Sequence, residues 1–500
     1  MSRRRGRICQ KVLPNRAHAG ILSINHFSRR KGERVSFASY GLAYDLPSHA
    51  LSVLSALEGA GYEAWAVGGW VRDALAGAPA HDVDVTTSAP WQESERVLKA
   101  AGFAVHETGT AHGTVTAVVG GEPIEVTTYR VEGTYSDHRH PDEVRFVTDV
   151  REDLARRDFT INAMAYHPER GLLDPFGGKE DLARHVIRAV GEPAARFEED
   201  ALRVLRAVRF AARMGFTVEE RTHEALIAAA PSLANIAQER IGQELDGIIA
   251  SGRMAWALLA ETEVLCAAVP EITAMVGFDQ HSPFHAYTVL EHTARVCRAV
   301  EEFTAGVPAH ALRWAALLHD IAKPVTFTLD DKGRGHFYGH PREGAKMAET
   351  IMRRLALPKE LISQTVVLVR LHDHYMMPTA RSIRRTLVKL EKACPGHAYA
   401  LIYQLIDLKR SDAVSKVPSA AHYAVEVDAL TSAARREIRH RAPVKVSQLA
   451  ISGRDVLETT GMAPGPDVGM VLDSLLNAVM NGEVDNEREA LLREISFPDE

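Results

Sequence analysis

Cysteine is scarce in this chain: four residues in 500, Cys9, Cys266, Cys297 and Cys394, lie far apart with no CxxC spacing. That argues against a disulfide framework and a cysteine zinc site, and it fits a reducing, cytoplasmic setting. Long apolar runs are missing as well. Ala311 to Leu318 is broken by Arg313, and nothing approaches the roughly 18 residues of a spanning helix, so no membrane association is expected. Neither sign of charge dominates overall, with a net charge of −6 and a pI near 6.5. This average neither requires nor excludes a nucleic acid, for which a local basic surface is enough. Acidic residues are nearly absent from the first 35 positions, where Arg3, Arg4, Arg5, Arg7, Lys11, Arg16, Arg29, Arg30, Lys31 and Arg34 are opposed by Glu33 alone. Residues 1–43 read as a basic, disordered extension. The extension lacks the apolar core of a signal peptide, is similar to an organelle transit sequence, and reads as dispensable; a translation start further downstream, near Tyr44, is the alternative.

What is present is enough apolar material, 46% of the chain, for several cores and three or four domains. Helical spacing of Leu51, Leu54, Ala56 and Leu57 predicts a helix over 48–59. Ala64 to Val67 then reads as a strand, Gly68-Gly69 as a turn, Val71 to Ala76 as a helix and Asp82 to Thr86 as a strand. Thr114 to Val119 and Pro123 to Thr128, joined through Gly120-Gly121-Glu122, predict a hairpin. Beyond Asp158 the pattern becomes almost wholly helical. The expected fold class is therefore α+β and multidomain: a mixed α/β head followed by helical domains.

Residues two apart on a strand share a face, so Asp82 and Asp84 point together while Val83 and Val85 face the core. Two like charges this close raise each other's pKa unless cations neutralise them, and an all-oxygen pair suits Mg²⁺. Glu125, between Ile124 and Val126, is expected to join the same cleft. Gly68 and Gly69 would let backbone amides approach a triphosphate, with Arg72 nearby. An isolated Asp-x-Asp is more often a solvated strand face; the ordered combination is more specific. Gly68-Gly69-x-Val71-Arg72-Asp73, eight residues, then Asp82-x-Asp84 with Thr86-Thr87 resembles the head of the DNA-polymerase-β-like nucleotidyltransferases.

Three further blocks resemble the class II, bacterial-type CCA-adding enzymes and bacterial poly(A) polymerases: Asp153 to Ala165, Glu199 to Phe210, and Glu239 to Leu245. The resemblance implies that Asp82 and Asp84, aided by Glu125, are catalytic and hold Mg²⁺. It also implies nucleotide contacts from Gly68, Gly69, Arg72, Asp73, Arg157, Asp158 and Asn162. Asp200 and Arg203 would read the base of CTP or ATP without a template, and Arg206 and Arg209 would serve the phosphates or stabilise the same face. The spacing puts Asp200, Arg203, Arg206 and Arg209 on one helical face, a pattern that a solvated charged stripe also produces. The tRNA acceptor end is the implied partner and acceptor substrate. Arg130 to Pro141 occupies the place of the loop associated with A addition, and the acidic Ser496 to Glu500 differs from the Arg-rich tail of a poly(A) polymerase. Full CCA addition is thus expected ahead of A addition or poly(A) synthesis.

A second set, His292, His319-Asp320, His340, His372 and Asp412, resembles an HD-type phosphohydrolase domain and implies a divalent metal there, of unstated identity. Asp412 is preferred to Asp407 because Ala413 follows it as in the family pattern; His285, His336 and His374 are reserves. A dead head that binds RNA, with the HD site as the working centre, is the alternative of a different class. The expected domains are the head at 44–170, a helical neck at 171–270, an HD-type domain at 271–420 and a helical tail at 421–500.

Overall fold

The computed structural model describes residues 45–80, 82–133, 144–283, 285–417, 423–440 and 443–496. The basic extension, most of the Arg130–Pro141 loop and the last four residues lie outside the described residues. In chain order the head comprises α1 (Ser48–Gly59), β1 (Ala64–Val67), α2 (Gly69–Leu75), β2 (Asp84–Thr87), α3 (Trp91–Ala100), β3 (Ala104–Gly109), β4 (Thr114–Val119), β5 (Glu122–Thr128), β6 (Arg130–Glu132), β7 (Val144–Phe146), α4 (Val150–Ala155), β8 (Ala165–His167) and β9 (Gly171–Leu173). Helix α1 buries Ala50, Val53, Leu54 and Leu57, a 3-4-7 stripe, while Leu51 turns outward.

Seven strands form one sheet in the order β3-β4-β5-β2-β1-β8-β9. All four residues of β1 are buried, because helices cover both faces of the sheet centre. Val83, Val85, Val115, Ile124 and Val126 pack beneath α1 and α3, and Trp65, Val67 and Tyr129 pack against Val150 and Leu154 of α4. Gly120 and Gly121, at φ +64° and +94°, close the β4–β5 hairpin in a conformation that favours glycine. Beyond Asp158 the chain is almost wholly helical, as expected, although β8 and β9 first return to the sheet edge. Strands of three residues are too short to leave a period in the sequence.

The following helices are α5 (Gly178–Arg184), α6 (Pro193–Glu199), α7 (Leu202–Met214), α8 (Glu220–Ala229) and α9 (Gln238–Ala250). A continuous apolar core runs from Phe159 through these helices to Val444, and a separate small core from Leu449 to Leu491 serves the end of the chain. Arg384 ties the two, donating to Glu437 at 2.6 Å and to the Val479 carbonyl at 2.8 Å. No helix among the described residues is long and apolar enough to cross a membrane.

Candidate active site and histidine–aspartate cluster

Strand pairing builds the carboxylate centre. The parallel register of Val85 with Val126 sets Asp84 beside Glu125, on the face opposite the buried valines. Burial, then the Glu125 charge, then Asp82, push the Asp84 carboxyl up to about 6, against the pull of Arg157. A shift of this size corresponds to roughly 3 kcal/mol against the charged form, which is the electrostatic deficit a divalent cation on these oxygens would remove. Asp82 is exposed and lies ahead of β2, which begins at Asp84, two residues later than the sequence pattern suggests. Gly68 has φ +74°, and a Cβ there would come within 3.3 Å of Arg157 and 3.5 Å of Asp84. Glycine at this position allows the cation and the carboxylate to approach the turn.

A cavity of about 490 Å³ lies between this turn and α7. Eight arginines line it: Arg72, Arg156, Arg157, Arg203, Arg206, Arg209, Arg213 and Arg240. Asp84, Asp158, Asp200, Asn162 and Phe210 are also at its wall. Among the described residues, all of these cations except Arg213 are fixed by carboxylate partners. Asp158 accepts from Arg206 at 2.6 and 2.9 Å, from the Phe159 amide and from Asn162, whose own oxygen accepts from Arg72 at 2.7 Å. Although burial opposes its charge, the Arg206 guanidinium holds the Asp158 carboxyl below its ordinary range. Arg72 also pairs with Asp73 at 2.8 Å, and Arg209 pairs with Glu244. Phe210 sits under three guanidinium groups, those of Arg209, Arg72 and Arg206, at 4.5, 5.3 and 5.5 Å from the ring centroid.

Asp200 departs from expectation. Helix α7 starts at Leu202, and Asp200 stands before it in extended backbone, accepting from the Leu202 amide. It therefore does not share a helical face with Arg203, Arg206 and Arg209, because an Asp there satisfies an otherwise orphaned helix-start amide. Both residues still reach the cavity, Asp200 held by Arg240 at 2.9 Å and Arg203 by Glu199 at 2.7 Å.

The second cluster forms where helices end. His319 follows the apolar helix His310–Leu318, His372 follows Lys359–Leu371, His340 opens His340–Arg354, and Asp412 lies on Ala398–Lys416. Two triads result, His292/His319/Asp412 and Asp320/His340/His372, with the candidate ligand atoms of each within 4.8 Å of one another. Backbone carbonyls accept from Nδ1 of His319, His340 and His372 at 2.9, 2.8 and 2.7 Å, which turns each Nε2 inward to the cluster. Nε2 of His340 faces Nε2 of His372 at 3.2 Å, and Nε2 of His319 lies 3.1 Å from the Asp320 carboxylate. Imidazole nitrogens converging with carboxylates in this way suit a shared cation. Burial keeps His372 neutral, its pKa brought down to about 3. Of the reserves, His285 packs edge-on against His292, His336 bonds Asp330, and His374 bonds Lys389. Asp407 is in neither triad.

Family models match in two large blocks, the poly A polymerase head domain over residues 64–188 and the HD domain over 285–409. The CCA-adding enzyme of Geobacillus thermodenitrificans is 35% identical over 451 residues, covering 88% of this chain and 95% of that protein. The chain belongs to the CCA-adding enzyme family. Among other CCA-adding enzymes, that of Limosilactobacillus reuteri is 33% identical over 448 residues, 89% of this chain and 95% of the relative. The crystal structure of the Bacillus stearothermophilus CCA-adding enzyme in complex with CTP superposes with a TM-score of 0.64 at 30% identity, covering 89% of this chain and 96% of that one.

For this member of the CCA-adding enzyme family, the expected residues Gly68, Gly69, Arg72, Asp84, Arg157, Asp158, Asn162, Asp200, Arg203, Arg206 and Arg209 converge on one cavity. Asp73 stands behind Arg72, and Asp82 and Glu125 act on Asp84 without lining that cavity. Sequence reasoning gave no role to Asp153, Glu199, Phe210, Arg213, Arg240 or Glu244. Most of them lie inside the quoted blocks; Arg240 and Glu244 have their partners 40 and 35 residues away, whereas Asp153 and Glu199 pair within about one helical turn. Asp153 is fully buried and pairs with Arg156 at 2.8 Å and Arg157 at 3.5 Å.

Proposed function

We propose that this protein adds C, C and A to the 3′ end of tRNA from CTP and ATP, releasing pyrophosphate at each step. The observation that carries this reading is the single cavity joining a carboxylate centre, an arginine lining and the Asp200/Arg203 pair. Members of the same family carry the name CCA-adding enzyme, and one of them has been solved with CTP. Asp82 and Asp84, with Glu125 beside them, offer the oxygen donors that Mg²⁺ prefers. Bound there, Mg²⁺ supplies charge neutralisation for nucleotidyl transfer. Arg72 and Arg157 hold the triphosphate against the Gly68-Gly69 turn, and Arg206 and Arg209 complete the cationic wall. Asp200 accepts from and Arg203 donates to the pairing edge of the base, each oriented by its own partner, so a base lacking the matching groups leaves buried polar atoms unpaired. Asp158 spends its oxygens on Arg206, Asn162 and the Phe159 amide; it supports the sugar pocket chiefly by fixing those donors.

A second reading stands beside the first: the histidine–aspartate cluster is a divalent-metal centre with phosphohydrolase activity. The two triads of converging imidazole and carboxylate atoms favour it. One reciprocal experiment tests both readings. Asp84→Ala should abolish incorporation of CTP and ATP, with tRNA binding and folding retained. Asp320→Ala should keep incorporation while losing phosphoester hydrolysis and metal bound to the purified chain. Wild-type incorporation by the Asp84 variant would refute the first reading; full metal content in the Asp320 variant would refute the second.

A further inference from the structure

A second cavity, of about 730 Å³, opens between the end of α2, helix α5 and the end of α7. Arg213 lines both this cavity and the one that holds the proposed nucleotide. It continues the row of Arg206 and Arg209 on α7 at a spacing of three, then four residues, which keeps all three on one face. The row changes character along its length. Arg206 is paired with Asp158 and Arg209 with Glu244, and the other five arginines of the nucleotide cavity each have a carboxylate as well. Among the described residues, Arg213 alone of the eight has no carboxylate within ion-pairing reach. Across the second cavity stand Lys179 and His185 of the α5 segment, and its one carboxylate, Asp73, is held by Arg72 at 2.8 Å. Leu182, Met214 and Phe216 are among its apolar lining, and Arg213 itself is exposed and open to an anion from solvent.

We propose that Arg213 and this second cavity receive the inorganic pyrophosphate that leaves the reaction. The proposal rests on the nucleotidyl-transfer reading. In that reaction the 3′-hydroxyl loses its proton to solvent as its oxygen bonds to the α-phosphorus, the α–β bridging P–O bond breaks, and its electron pair departs on pyrophosphate. The leaving group is strongly anionic, while the arginines before it on α7, Arg203, Arg206 and Arg209, each already face a carboxylate. The next uncompensated positive charge along α7 is Arg213, at the threshold of a space large enough for a hydrated pyrophosphate.

The test uses the full chain with Mg²⁺ and tRNA, in the forward reaction inhibited by added pyrophosphate and in the reverse pyrophosphorolysis of CCA-ended tRNA. Arg213→Gln should weaken pyrophosphate inhibition and raise the KM for pyrophosphate by about fivefold to tenfold, the loss expected for one charge-assisted contact. The KM for CTP should rise less than that for pyrophosphate, the KM for tRNA should stay within about twofold, and Arg213→Lys should restore most of the effect. Unchanged pyrophosphate inhibition with a raised KM for tRNA would overturn the proposal and assign Arg213 to the RNA backbone. No change in either would overturn it and leave Arg213 a solvated surface charge. Loss of CTP incorporation by Asp84→Ala, measured alongside, checks the underlying reading separately.

Discussion

Asp153 carries a negative charge with no exposure to water, and four groups converge on it: the guanidinium groups of Arg156 and Arg157, the Thr86 hydroxyl and the Arg130 amide. Burial alone would raise its pKa, but the two arginines outweigh it and hold it below the ordinary carboxylate range. A depressed pKa means that its contribution to stability is complete above the unfolded-state value and is lost as pH falls through the folded one. Removing one partner of such a buried pair is costly. Asp153→Asn should therefore lower unfolding free energy at neutral pH by about 3 kcal/mol. The loss should shrink as pH drops below about 4, because the unfolded wild-type chain then takes up a proton at Asp153 that the folded protein does not bind. Denaturant unfolding of both proteins at pH 7 and pH 3.5 checks this; equal stability at pH 7 would refute it. At this scale the sequence made Asp84 legible because strand parity alone places it opposite buried valines. Asp153 was less so. Its partners are near in sequence, yet its burial depends on a sheet face and α4 closing over it.

At the scale of elements, the β2–β5 register and the start of α7 decide the site. The register brings Asp84 and Glu125 together from 41 residues apart in sequence, and the alternation of apolar and acidic residues in both strands already implied a shared face. The start of α7 was misjudged, because a spacing of three between Asp200 and Arg203 fits a helix equally well whether the Asp lies on it or just before it. Helix α9 presents a different constraint. It carries Glu244, the partner of Arg209, and packs against the Leu355 backbone through Gly242, where a Cβ would collide with the Leu355 carbonyl. Gly→Ala inside a helix ordinarily gains up to about 1 kcal/mol, whereas overpacking against a backbone costs about 1 to 3 kcal/mol. The carbonyl has no rotamer with which to yield, so the steric cost should win. Gly242→Ala is expected to lower thermal stability and, by displacing Glu244 from Arg209, to raise the KM for CTP; a stabilised protein with unchanged kinetics would refute that packing argument.

On the scale of the whole molecule, two centres built from different chemistry share one chain. The oxygen-and-arginine cavity is made by the head sheet and α7, and the imidazole cluster by helix ends deep in the helical core. Their order along the chain was legible from motif blocks. The continuity of the core from Phe159 to Val444 was not, since apolar periodicity identifies a buried face without naming what buries it. The second cavity was equally hidden, since apart from Asp73 the residues of α2, α5 and α7 that line it carry no motif. The central claim, template-independent CCA addition, is tested most directly by incubating the purified chain and Mg²⁺ with tRNA lacking its three terminal nucleotides, supplied with CTP alone, ATP alone, or both, and sequencing the 3′ ends. The account predicts two C residues with CTP alone and termination after a single A with both. Homopolymeric A from ATP alone, or no incorporation at all, would contradict it.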